Sequence, residues 1–87
     1  MSAAPVAAVA TAFDSVVESV DAAEQLVREY AGKVGFAEPD QYFIGLAFRE
    51  IFINALKHGN RFDAGKQIHV RLAAATGGGI EIEVRDE

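Results

Sequence analysis

The chain has 87 residues, 51% of them hydrophobic and 24% charged, a composition typical of one small globular domain. Its net charge of −5 excludes a broad basic surface for nucleic acid, and the lack of cysteine excludes disulfides and thiolate metal sites. No stretch is apolar and long enough to span a membrane, and no Lys or Arg precedes the Ala- and Val-rich start, so we expect a cytoplasmic protein.

The first third of the chain predicts a strand followed by a helix. Residues 5–13 are rich in Ala and Val and predict a short strand or an extended arm, with residues 1–9 as a candidate disordered arm. Residues 18–34 carry apolar side chains at helical spacing, with Ser19 as a candidate N-cap and Gly35 as a stop.

A second, longer helix is predicted over residues 40–58. Asp40 is a candidate N-cap, and Gly59 and Asn60 are expected to end the helix because both residue types tolerate a left-handed backbone. The interior of this segment is apolar nearly all round, which predicts a helix that is buried on most sides.

The rest of the chain predicts a β-hairpin. Residues 67–75 and 80–86 alternate between apolar and polar side chains, and the glycine-rich residues 76–79 form the turn between them. We therefore predict an α+β two-layer sandwich with the helices on one face of a mainly antiparallel sheet. The side chains expected to be largely buried are Phe48, Ile51, Phe52, Ala55, Ile68, Val70, Leu72, Ile82 and Val84.

Three polar side chains form a stripe along the second predicted helix. Asn54 lies about 40° from Glu50 around the helix axis, and Lys57 about 20° to the other side. One interpretation is that Glu50 pairs with a neighbour along the helix and the stripe faces water. The other is that the stripe lines a nucleotide site, where Asn54 binds Mg²⁺, Lys57 contacts phosphate and Glu50 orients or deprotonates a nucleophile.

The histidines and the C-terminal carboxylate give weaker signals. His58 either caps the helix end or contacts a ligand, whereas His69 is expected to face solvent. Asp86 has the same strand parity as Val84, so it should point toward the helices unless the strand frays into water before it.

The motif Glu50-x-x-x-Asn54-Ala-x-Lys57-His58-Gly59-Asn60, followed by the hairpin and Asp86, resembles the GHKL ATPase superfamily. Its form is similar to the anti-sigma factor serine/threonine kinases, and the resemblance covers about residues 10–87. It implies a Bergerat ATP-binding fold that uses ATP and Mg²⁺. It also implies that Glu50 is the general base, Asn54 the Mg²⁺ ligand and Asp86 the acceptor for the adenine amino group. It further implies that Lys57 contacts phosphate.

The family pattern continues past Asp86 with a Gly-x-Gly turn, a lid and a further glycine-rich motif, whereas the chain stops at Glu87. We therefore expect residues 1–87 to be the N-terminal part of a single ATP-binding domain, an incomplete Bergerat fold. Its last strand would have an open edge. On its own such a fragment should be inactive.

Three functions remain open from the sequence. The first is an ATP-binding anti-sigma-factor-like serine/threonine kinase, with a sigma factor or anti-anti-sigma factor as its protein partner and a homodimer as its candidate assembly. The second is a non-catalytic interaction or dimerisation module that uses the apolar helix and the open strand edge. The third is a histidine-kinase catalytic domain, which we disfavour because no dimerisation helix pair precedes residue 10.

Overall fold

The computed structural model describes residues 6–87, so the first five residues of the predicted arm lie outside the described part. The elements in chain order are β1 (Val9–Asp14), α1 (Ser19–Val34), α2 (Glu38–Asn54), a π-helical turn (Ala55–Gly59), β2 (Gln67–Ala74) and β3 (Ile80–Arg85). No helix among residues 6–87 combines the length and the apolar character that a membrane span requires.

The three strands form one antiparallel sheet in the order β1-β2-β3. Val9 lies opposite Leu72, and Val70 lies opposite Val84, so the apolar positions of neighbouring strands share one face. Both helices pack on that face, as the alternating sequence pattern predicts. The α+β arrangement is confirmed, and within the described residues β3 is an edge strand, as expected.

The predicted turn between β2 and β3 is present. Three consecutive glycines, Gly77 to Gly79, adopt positive φ angles of 84°, 100° and 102°. The N–H of Ala75 donates to the carbonyl of Gly79 at 3.0 Å and closes the turn. A side chain at any of these three positions would strain the backbone, which explains the glycine run.

Both helix starts differ from the predicted caps. Ser19 is the first residue of α1 rather than its cap, and the N-cap, Glu18, makes no side-chain capping bond. The second helix begins at Glu38, with Pro39 in its first turn, so Asp40 lies inside the helix. There its negative charge still favours the positive end of the helix dipole.

The end of α2 is not the regular helix that the sequence predicts. The α-helical hydrogen bonding stops at Asn54, and residues 55–59 form a π-helical turn. Neither Gly59 nor Asn60 is left-handed; the left-handed residues are Arg61, with φ 51°, and Phe62, with φ 56°. The predicted role of Gly59 and Asn60 as left-handed stop residues is therefore wrong.

A single core lies between the helices and the sheet. Five of the predicted core residues are buried there, namely Phe48, Phe52, Ile68, Val70 and Leu72. Three more, Ala55, Ile82 and Val84, are partly buried and pack against this core. Ile51 is 49% exposed, so its predicted burial is wrong.

One side of α2 is open and carries large apolar side chains. Tyr42, Phe43, Leu46 and Ile51 are 49%, 65%, 37% and 49% exposed. The prediction that this helix is buried on most sides is therefore wrong within residues 6–87. The apolar residues nearly encircle the helix, but only one side faces the sheet and α1.

A polar cluster joins the two helices beside the core. Arg49 of α2 donates from Nη1 to Asp21 Oδ1 at 2.8 Å and to Glu24 Oε1 at 2.9 Å. These bonds raise the pKa of Arg49 above its usual value. Glu24 also forms a salt bridge with Arg28, whose guanidinium lies 4.8 Å from the centre of the Tyr42 ring. Glu24 is thus a buried carboxylate with two cationic partners.

We expect Glu24→Gln to destabilise the fold by about 1.5–3 kcal/mol, because it removes the charge that accepts these bonds at a buried position. The matched control is Asp21→Asn. Asp21 contacts the same arginine, but its side chain is 89% exposed, so its loss should change the free energy of unfolding by at most about 1 kcal/mol. Urea unfolding of both variants tests this, and equal losses would contradict it.

Candidate functional site

The predicted site residues of α2 lie on its open side. Glu50 and Asn54 are one helical turn apart and both are exposed, whereas Phe48 and Phe52 point into the core. This division follows from the helical period, which puts residues four apart on one face. The carboxylate of Glu50 and the amide of Asn54 therefore face the surface together, beside the exposed apolar residues of α2.

The π-helical turn changes the direction of the side chains beyond Asn54. The N–H of Asn60 donates to the carbonyl of Ala55 at 2.9 Å, a bond that spans five residues instead of four. Lys57 lies within this wider turn, so the straight-helix phase used to align it with Glu50 no longer applies. Lys57 and His58 are both exposed there.

The structure does not support an ion pair along the stripe. Within residues 6–87, neither Glu50 nor Lys57 takes part in a salt bridge. The expected pairing is not seen, but the exposure of Glu50, Asn54 and Lys57 agrees with a stripe that faces water, so the structure does not decide between the two interpretations. Both side chains face the surface and are available to a ligand.

Asp86 follows directly after β3 and lies against the end of the π-helical turn. A Cβ atom placed on Gly59 would lie only 1.8 Å from Asp86 Oδ2, so the carboxylate occupies the space that a side chain at Gly59 would need. Asp86 thus lies on the side of the sheet where the helices pack. It is exposed rather than buried.

The structure brings the C-terminal carboxylate to the segment that carries the motif. Asp86 contacts the last residue of the π-helical turn, and the preceding turns of the same helical segment carry Asn54 and Glu50. A cavity of about 430 Å³ lies elsewhere, mainly on the outer face of the sheet, and is lined by residues such as His69, Arg71 and Glu83. The convergence of Glu50, Asn54 and Asp86 on one nucleotide site stays a prediction.

Asn60 has a role that the sequence reasoning missed. Its side chain is only 2% exposed. Its Oδ1 accepts the N–H of Glu87 at 2.8 Å, and its Nδ2 donates to the carbonyl of Gln67 at 3.0 Å. The amide therefore ties the start of β2 and the end of β3 to the end of the helix. The sequence feature that could have indicated this role is an asparagine directly after a glycine, at the predicted junction of helix and loop.

Glu87 and His69 form a second contact at this end of the sheet. His69 Nε2 lies 2.7 Å from Glu87 Oε2, and Gln67 donates its N–H to Glu87 Oε1 at 3.0 Å. The contact with His69, followed by the Gln67 N–H, lowers the pKa of Glu87 below its usual value. His69 faces the outer side of the sheet, but its side chain is only 33% exposed, so the prediction that it faces solvent freely is corrected.

The donor set suits a magnesium nucleotide better than a metal held by protein alone. Within residues 6–87, no group of three or more His, Cys, Asp or Glu side chains could hold a metal ion. Magnesium needs few protein ligands, because it keeps several waters and shares phosphate oxygens. The exposed amide of Asn54 offers one neutral oxygen, which fits that mode of binding.

Comparison with known proteins identifies the family of the chain. A family model described as the histidine kinase-like ATPase domain matches residues 13–87, which include both helices, the π-helical turn and the hairpin. No curated protein and no solved structure shows a significant match. Because the family match covers nearly the whole chain and includes the helix end with its apposed aspartate, the chain belongs to the histidine kinase-like ATPase domain family, whose members bind ATP.

Proposed function

We propose that this chain forms the adenine- and Mg²⁺-binding side of an ATP site in a serine/threonine kinase of the anti-sigma-factor type. The observation that carries the proposal is the contact between Asp86 and Gly59. That contact joins the carboxylate to the helical segment that bears Glu50 and Asn54. An acceptor for the adenine amino group and a ligand for the metal thus belong to one connected surface.

The proposed residue roles are those that the family resemblance implies, and the chemistry of each side chain suits its role. The Asn54 amide oxygen is a hard, neutral ligand for Mg²⁺. Lys57 and His58 lie one turn further along and offer donors to phosphate oxygens. The Asp86 carboxylate accepts the hydrogen bond of the adenine amino group. Glu50 would take the proton of the attacking hydroxyl, whose oxygen bonds to the γ-phosphorus of ATP while the bond to the β-phosphate oxygen breaks and ADP leaves.

We further propose that residues beyond Glu87 complete the domain and close the site. Two features support this. The face of α2 that carries Asn54 also exposes Phe43 and Ile51, which a soluble domain normally covers. The strand β3 is an edge within the described sheet and has room for a neighbour. A glycine-rich turn and a lid in these places would supply backbone N–H groups to the phosphates.

The partner is proposed from the form of the motif. The Asn54-Ala-x-x-His58-Gly59 pattern is similar to the anti-sigma factor kinases, so the candidate partners are a sigma factor and an anti-anti-sigma factor in the bacterial cytoplasm. The kinase would regulate transcription by holding the first and phosphorylating the second on a hydroxyl side chain. A homodimer is the candidate assembly.

A non-catalytic interaction module is the second candidate. The specific observation in its favour is the row of exposed apolar side chains on α2, including Tyr42, Phe43 and Leu46. Apolar surface of this kind is typical of a protein–protein contact as well as of an uncovered domain interior. Nucleotide binding distinguishes the two functions.

Calorimetric titration with ATP and Mg²⁺ tests the proposal on two forms of the protein, residues 1–87 alone and the full-length protein. We expect the full-length protein to bind, and residues 1–87 to bind weakly or not at all. On the fragment, water stays in the site and screens each charge, and few fixed donors order the flexible triphosphate. Failure of the full-length protein to bind would favour the interaction module. Micromolar binding by the fragment would refute the need for further residues.

The same full-length protein separates catalysis from binding. Glu50→Ala should reduce phosphoryl transfer to the protein partner by about 10²–10⁴-fold, the range for a general base, while ATP affinity changes little. Glu81→Ala is the matched control, because Glu81 is an exposed glutamate on the far strand. Loss of ATP binding in Glu50→Ala would contradict the assigned role.

A further inference from the structure

The Asp86 side chain fills the space beside Gly59 in which a side chain of that residue would lie. Around a Cβ placed on Gly59, three atoms of Asp86 would lie at 1.8, 2.5 and 2.7 Å. The carboxylate therefore rests directly on the glycine backbone. Any other residue at position 59 would have to displace Asp86 or move the strand end that carries it.

The reason for this glycine is space and not backbone conformation. Gly59 lies in the π-helical turn and is absent from the positive-φ glycines among residues 6–87. An alanine is compatible with that backbone, and alanine is a better helix former than glycine. The cost of a side chain at position 59 therefore falls on Asp86 and not on the helix.

Asn60 fixes the main chain next to the same carboxylate. The Glu87 N–H that it accepts belongs to the peptide bond immediately after Asp86. Its second bond, to the Gln67 carbonyl, prevents the amide from turning over, because the two partners need opposite polarity. A buried amide with both ends engaged holds its partners in one geometry.

We propose that Gly59 and Asn60 are positioning residues for Asp86, and that together they set the preference of the site for adenine. This inference rests on the proposed function, in which Asp86 accepts the adenine amino group. Gly59 leaves the space in which the carboxylate lies, and Asn60 holds the peptide that bears it. Neither residue touches the nucleotide in this scheme; both act through Asp86.

The first test uses Gly59→Ala in the full-length protein. We expect a somewhat lower melting temperature, because the Cβ atom of Asp86 has to move as well as its carboxylate, together with about tenfold weaker ATP binding, the effect of losing one hydrogen bond to a charged group. Inosine triphosphate, which carries an oxygen in place of the 6-amino group, should bind the variant as well as it binds the wild type. The preference for ATP over inosine triphosphate should therefore shrink, which a merely structural role would not produce.

Two controls make the result specific. Gly32→Ala introduces the same methyl group in α1, where the nearest neighbour is the flexible side chain of Gln41 at 3.2 Å, and it should leave the nucleotide preference intact. In the Asp86→Asn background, Gly59→Ala should have no further effect on that preference. An additive loss in the double variant would overturn the proposal.

The second test needs no nucleotide, so it separates the positioning from the proposed function. We expect Glu87 amide exchange to be slow in the wild type, faster in Asn60→Asp, which keeps an acceptor oxygen but repels the Gln67 carbonyl, and fastest in Asn60→Ala. The carboxyl ¹³C resonance of Asp86 should move in Gly59→Ala. Unchanged exchange rates and an unmoved resonance would overturn the positioning role. Normal results here without ATP binding by the wild type would refute the proposed function and, with it, the adenine preference.

Discussion

Replacing Phe52 with alanine is expected to leave the protein barely stable at room temperature. Phe52 is fully buried, and its ring centre lies 5.8 Å from that of Phe13 on β1 and 5.7 Å from that of Phe48. Its removal leaves a cavity where α2 meets the sheet, at a cost of about 3–5 kcal/mol. A domain of this size has a total stability near the lower end of about 5–15 kcal/mol, so little would remain.

Thermal unfolding followed by circular dichroism measures the effect, and Phe43→Ala is the matched control. Phe43 is on the same helix but 65% exposed, so its loss should change stability by only about 0.5 kcal/mol. A Phe52→Ala variant that melts near the wild-type temperature would show that this ring does not hold the helix to the sheet.

Asn54→Ala is expected to reduce Mg²⁺-dependent ATP binding of the full-length protein by at least about tenfold. Even residues that only support a metal ligand cost about 10–100-fold in affinity when mutated, and Asn54 is proposed as the ligand itself. The fold should be unaffected, because Asn54 is exposed and makes no contribution to the buried core. Loss of function would then come without loss of stability.

Titrations with ATP in the presence of Mg²⁺ and of a chelator distinguish metal binding from other effects. Asn54→Asp keeps an oxygen ligand and should retain more Mg²⁺-dependent binding than Asn54→Ala. Gln25→Ala removes an exposed amide from α1 and should change neither titration. If Asn54→Ala weakened binding equally with and without Mg²⁺, the metal-ligand role would be refuted.

The fold was predictable because local pattern and tertiary packing agree. The alternation in β2 assigns Ile68, Val70 and Leu72 to one face, and all three are buried. The helical spacing in α1 likewise predicts its buried side. In both elements the apolar residues recur with the period of the secondary structure, which is two residues in a strand and about 3.6 in a helix. The apolar side chains therefore share one face, and that face packs against the rest of the protein.

The features that the sequence did not reveal depend on contacts between residues that are far apart along the chain. An apolar side chain at position 51 has the same hydropathy whether or not a neighbour covers it, so Ile51 could not be distinguished from Phe52. The π-helical turn is a small change in hydrogen bonding, and side-chain spacing does not report it. The role of Asn60 depends on Gln67 and Glu87, which only the closed hairpin brings near.

The candidate site was predictable in part for the same reasons. Helix phase places Glu50 and Asn54 on one face, and strand parity brings Asp86 to the helix side of the sheet. Lys57 is different, because its direction was inferred from a regular helix that does not continue to position 57. The contact of Asp86 with Gly59 joins two residues that are far apart in the sequence. It depends on a glycine at the end of the helical segment and on a carboxylate after β3, and neither segment alone predicts that the two meet.

The register of β1 has a consequence for the order of folding. Asp14 pairs with Gln67, which is far along the chain, whereas Leu72 and Ile82 pair across a short turn. Pairing β1 with β2 closes a longer loop than pairing β2 with β3, and it therefore costs more chain entropy. The β1–β2 contacts are thus expected to form more slowly than the hairpin. On the ribosome, β1 emerges first but has no strand to pair with until β2 has been made. Until then its backbone hydrogen-bonding groups are satisfied only by water or by another chain.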